Sequence, residues 1–117
     1  MRSSALFVSL ALSSAASFAQ SVHLKCDVDS VNGGPRNERW VEIDQTHNLL
    51  RDGGVSMPLV STVDVYGGIT SPVAGFRTKY EINRSTGEIL ITEYKNRTVA
   101  WELKGTCDKA EPPKRKF

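Results

Sequence analysis

What this chain has little of narrows it first. Its 117 residues include only two histidines, His23 and His47, and two cysteines, Cys26 and Cys107. The two cysteines stand far apart and no set of Cys and His forms a complete zinc signature, so the patterns that hold zinc are missing. Also missing are a Ser in a Gly-flanked elbow and any local pairing of a nucleophile with a base. The expectation is therefore not an enzyme, with no cofactor and no metal. Charge of one sign is absent too: 15 basic side chains meet 13 acidic ones. Without a net field, nucleic acid and anionic surfaces are poor partners.

A long hydrophobic run is likewise lacking. The opening MRSSALFVSLALSSAASFAQ has a positive residue, Arg2, an apolar stretch from Ala5 to Leu12, and small residues up to Ala19. That is the pattern of a secretory signal peptide cut after Ala19, and it is much shorter than the roughly 20 apolar residues a membrane helix requires. No Cys follows the cut closely, so neither a transmembrane segment nor a lipid anchor is expected. The expected organisation is a signal peptide over 1–19, one β domain over 20–108 and a disordered basic tail over 109–117, the product being periplasmic or secreted. In such a compartment Cys26 and Cys107 are expected to form a disulfide.

The rest of the chain alternates with period two and offers no convincing helix. In VHLKCDVD, Val22, Leu24, Cys26 and Val28 share a face; in TVAWELKGTC, Val99, Trp101, Leu103 and Cys107 do the same. Both cysteines then point to the core, and their bond ties first strand to last. Further strands are expected near 38–44, 49–51, 55–66 with a break, 76–82, 88–94 and 97–104. Asn32-Gly33-Gly34-Pro35, Asp52-Gly53-Gly54, Gly67-Gly68 and Asn96 supply turn chemistry, and Thr70 to Gly75 reads as a longer loop. Pro58 cannot donate to a ladder and should sit at an edge or a bulge. The expected fold is all-β: a small meandering antiparallel barrel or curled sandwich closed by one disulfide.

Several motifs read as structure rather than chemistry. In INRSTGEILI, a four-residue loop from Arg84 to Gly87 sets Ile82 opposite Ile89 and Tyr80 opposite Ile91, so both strands bury one face. WVEIDQTHNLLR at 40–51 aligns with KYEINRSTGEIL at 79–90, pairing Asn48 with Gly87, two residues that tolerate left-handed backbone. Asn83-Arg84-Ser85 and Asn96-Arg97-Thr98 match the glycosylation acceptor, a short pattern that turns also satisfy. DVDSVNGGPRNE has acids at positions one, three and twelve of a calcium loop, but Val31 and Asn32 at five and six break it.

Trp40 is the residue with most to offer a partner. With Val41 and Ile43 inward, it projects from the polar face beside Glu42 and Asp44, where an aromatic ring anchors protein or sugar well. Tyr66, Gly67, Gly68 and Tyr94 complete the expected partner-binding set. The expected function is a non-enzymatic module that binds a protein or glycan. The plan resembles the small disulfide-closed bacterial barrels that inhibit lysozyme, in architecture only: Ala74-Gly75 and Tyr80 are spaced too widely for their Ser-Gly-x-x-Tyr loop. Inhibition of a secreted hydrolase is therefore the alternative, through a loop over Gly67 to Gly75, and an envelope enzyme with a site around His23 or His47 is the second alternative.

Overall fold

The computed structural model describes residues 21–111; the expected signal peptide and residues 112–117 of the expected tail lie outside the described residues. Eight strands follow one another: β1 (Ser21–Val28), β2 (Asn37–Asp44), β3 (Leu49–Asp52), β4 (Val55–Ser61), β5 (Val65–Ile69), β6 (Phe76–Asn83), β7 (Glu88–Lys95) and β8 (Thr98–Lys109). Each pairs antiparallel with the next, and β8 pairs with β1 to close a barrel. Strands this short have no stable free edges to spare, and closure pairs the first with the last.

Alternation decides the inside. Leu24, Cys26 and Val28 from β1, Val41 and Ile43 from β2, and Leu50 from β3 are buried with Met57, Leu59, Tyr80, Ile82, Ile89, Ile91, Leu103 and Cys107 in one cluster. Burying each large aliphatic side chain among them contributes about 1.5–3 kcal/mol. Cys26 and Cys107 face one another in the β1–β8 register and are joined by the expected disulfide. Gly105 lets those strands meet: a Cβ there would collide with the Asp27 carbonyl oxygen.

The hairpin around Gly87 has the expected register, Tyr80 with Ile91 and Ile82 with Ile89. Asn48 and Gly87 both have positive φ, 57° and 79°, so the internal echo reflects a shared turn geometry. Two strand assignments differ from expectation. Gly67 and Gly68 do not form a turn but lie within β5; the chain turns earlier, where Thr62 N donates to Val65 O at 2.9 Å. Val99 leaves the core phase of β8, because the register slips between Glu93 and Tyr94 and sets Val99 opposite Tyr94. One extra residue in β8 turns that side chain outward, and it is 49% exposed.

Pro58 marks a division in β4. Val55 to Pro58 pair with β3, whereas the β5 register covers only Leu59 to Ser61. The ring nitrogen has no proton to carry the second ladder further, so the pairing stops beside it.

Candidate functional site

The outward positions of β4, β5 and β7 build a trough. Pro58 and Val60 stand on β4, Val65 and Ile69 on β5, and Tyr94 on β7; Gly67, between the walls, contributes no side chain and forms the floor. The trough encloses about 480 Å³. Its aliphatic walls are open to solvent, Val60 being 63% and Ile69 42% exposed. Lys79 and Glu81 line it from β6, 3.5 Å apart as an exposed ion pair. A Cβ on Gly67 would meet only ordinary contacts, 3.4 Å from Tyr80 O and 3.8 Å from Val60 O, so the backbone does not require glycine there. What glycine supplies is depth.

The expected partner-binding residues fall in three places. Gly67, Gly68 and Tyr94 come together in the trough. Tyr66 is not with them: it turns inward at the barrel end, packs against the core and lies under Arg84, whose guanidinium is 4.4 Å from the ring centroid. Trp40 is half-buried on the outer face of β2, its indole Nε1 donating to Glu38 Oε1 at 3.2 Å.

Further along the outer face of β2 runs a charged network. Arg51 Nη1 reaches Glu42 Oε1 at 3.1 Å and Asp44 Oδ2 at 2.8 Å. His47 Nδ1 lies 2.8 Å from the same Asp44 oxygen, and His23 Nε2 lies 3.7 Å from Glu42. Asp44 is buried despite its outward position, and the Arg51 hydrogen bond, then those of His47, hold its carboxyl far below the usual carboxylate range. An ionised Asp44 can only accept, so Nδ1 of His47 carries the proton and Nε2 is left to solvent. That places an acid beside each imidazole, but neither His23 nor His47 lines the trough or another of the main cavities, and among the described residues no nucleophile hydrogen-bonds to either ring.

A second polar cluster seals the opposite barrel end from within. Asp52 Oδ2 accepts from Arg39 Nη1 at 2.7 Å and from the Tyr80 hydroxyl at 2.6 Å, while Thr78 Oγ1 donates to Glu93 Oε2 at 2.7 Å. Among the described residues no buried side-chain nitrogen or oxygen lacks a partner. In the calcium-like stretch, Arg36 Nε takes Asp29 at 2.9 Å. Among the described residues no three His, Cys, Asp or Glu gather as a metal site would need. Asn83 of the first acceptor motif serves its turn, Oδ1 accepting from Ser85 N and Thr86 N at 2.9 and 3.0 Å.

Pro58, Val60 and Val65 were not among the residues expected to meet a partner, and Ile69 entered only within the expected loop over Gly67 to Gly75, whose first three residues lie in β5. Their signal was present: Val65, Gly67 and Ile69 alternate as one face of a strand, and reading Gly67-Gly68 as a turn hid it. No family model matches the chain, and no curated protein or solved structure matches it significantly.

Proposed function

We propose that the protein is a non-enzymatic binding module acting outside the cytoplasm, and that its contact face is the trough over β4, β5 and β7. A buried disulfide joining first and last strands is compatible with such a compartment. The core residues occupy the barrel interior, which directs recognition to the outer surface. The single observation carrying this reading is the floor at Gly67 between exposed aliphatic walls. A concave, largely apolar surface with few polar groups suits apolar side chains of a protein partner. The trough's polar side chains, Thr62, Lys79, Glu81 and Tyr94, stand beside a larger aliphatic surface, which favours an apolar protein segment over a glycan.

The test fills the trough without disturbing the fold. Gly67→Val adds a side chain at a position with room for Cβ and with strand backbone that a β-branched residue favours. Capture from envelope extract by the wild-type domain and by Gly67→Val should differ in at least one protein. That protein, once purified, should bind the variant at least about tenfold more weakly by calorimetry, the loss of roughly 1.4 kcal/mol. Equal affinities would remove the trough from the account. Trp40→Ala, run alongside, asks whether the aromatic on the other face takes part.

A second reading, inhibition of a secreted hydrolase, has its own support. Val73 pairs with Phe76 across Ala74 and Gly75, and Asn96 N donates to Gly75 O at 2.7 Å, which ties down a protruding tip whose Val73 is 72% exposed. Stoichiometric loss of hydrolase activity, abolished by Val73→Asp, is the result this reading requires; full activity at a molar excess of the domain would end it.

A further inference from the structure

Beside the trough the wall of the barrel is unfinished on one side. Odd-numbered residues of β4 turn their amides to β3, as Leu59 N does toward Asn48 O at 2.9 Å. Even-numbered ones turn theirs to β5, since successive residues of an antiparallel strand bond to opposite neighbours. Yet the β5 register begins only at Leu59, and β5 beyond Ile69 follows β6 instead, Thr70 N donating to Thr78 O at 2.9 Å. Ser56 therefore directs its N–H and C=O to a side with no paired strand. Val55 reports the same opening: it shares the inward phase of Met57 and Leu59, both buried, and is nevertheless 46% exposed. Next to it, a Cβ added to Gly53 or Gly54 would meet nothing within 4 Å.

We propose that the partner of this module presents an extended segment that adds to β4 at Ser56 as an extra strand, its outward side chains entering the trough at Pro58 and Ile69. This rests on the trough being the contact face and names the form of the partner. An unpaired stretch of strand is a template for another strand: backbone hydrogen bonds supply affinity, and pockets at alternate side chains supply selectivity. One free donor and one free acceptor side by side on a strand match the alternating N–H and C=O of an extended backbone, and Pro58 keeps the native ladder from closing the gap.

Two peptides and one variant test it on the oxidised domain, with the Ser56 amide followed by NMR. The probe is acetyl-(Thr-Val)3-amide, with an analogue N-methylated at alternate residues that keeps the side chains and loses half the donors. Expected are a saturable shift and slowed exchange of the Ser56 amide with the first peptide. Binding should weaken at least tenfold with the methylated peptide and with Ser56→Pro, a substitution suited to an edge amide that makes no bond in the barrel. Equal binding of both peptides would overturn strand addition while leaving the trough reading intact, and so would absence of binding by either peptide at millimolar concentration. A Ser56 amide already protected in the free domain, with a dimer mass in sedimentation, would overturn it by giving the edge to a second copy. Should Ser56→Pro not fold, the comparison of the two peptides still decides.

Discussion

The Tyr80 hydroxyl donates to Asp52 Oδ2 at 2.6 Å, joining β6 to the end of β3 across 28 residues of sequence inside the barrel. Burial first, then that hydrogen bond and the Asp52 charge, push the phenol well above its ordinary value of 10.0. The raised value means that the unfolded chain loses its phenolic proton first as pH rises. The contribution is fully present below pH about 10 and declines above it. In a spectrophotometric titration of the folded domain, one of the three tyrosines should therefore ionise only after the others or on unfolding.

Removing that hydroxyl leaves Asp52 with Arg39 alone. Tyr80→Phe should destabilise the domain by about 1.5–3 kcal/mol, the range for a hydrogen bond to a charged group, measured from urea midpoints at neutral pH. No change would mean that the bond at the barrel end contributes nothing net.

On the outer face the acid limb should belong to Asp44. Its carboxyl is held low by Arg51 and then His47, so the stabilisation is present above the unfolded value, near 3.8, and is lost as pH falls through and below it. Asp44→Asn should be less stable than the wild type at pH 6, and the gap should shrink on going to pH 2. A gap independent of pH in chemical denaturation would contradict this.

Glycine is required at one place and dispensable at another. At Gly105 a methyl group meets the Asp27 carbonyl of the neighbouring strand, whereas at Gly67 it meets ordinary contacts. Gly105→Ala should cost at least about 1–3 kcal/mol, and Gly67→Ala should leave the thermal midpoint within a few degrees of wild type.

The disulfide encloses 81 residues of separation. On the chain-entropy model its removal by paired Cys26→Ser and Cys107→Ser should cost about 4–5 kcal/mol. Equal urea midpoints for this variant and the oxidised wild type would refute that.

Much of this fold was legible because burial imposes period two. The phases of Leu24, Cys26 and Val28 and of Leu103 and Cys107, and the turn equivalence of Asn48 and Gly87, follow from alternation and from backbone geometry alone. Val99 was not legible, since a bulge inverts phase without marking the sequence. The trough was legible only in part. Gly67 and Tyr94 line one surface, whereas Tyr66 and Gly68 are each one residue out of phase with Gly67: Tyr66 packs on the core, and a Cβ on Gly68 would point at Met57 inside the barrel, so Gly68 meets the trough by its backbone alone. The aliphatic walls were missed because a Gly-Gly pair is more often a turn than a strand with a gap in its surface.

The bond between Cys26 and Cys107 also decides how the molecule bears force. A pull applied on the two sides of the domain enters at the start of β1 and leaves at the end of β8, and these strands are adjacent and covalently joined. The load then crosses between sulfurs, and the hairpins from β2 to β7 lie outside its path. An oxidised domain stretched in series with other chains would contribute almost no extension, and reduction would release the enclosed length at once.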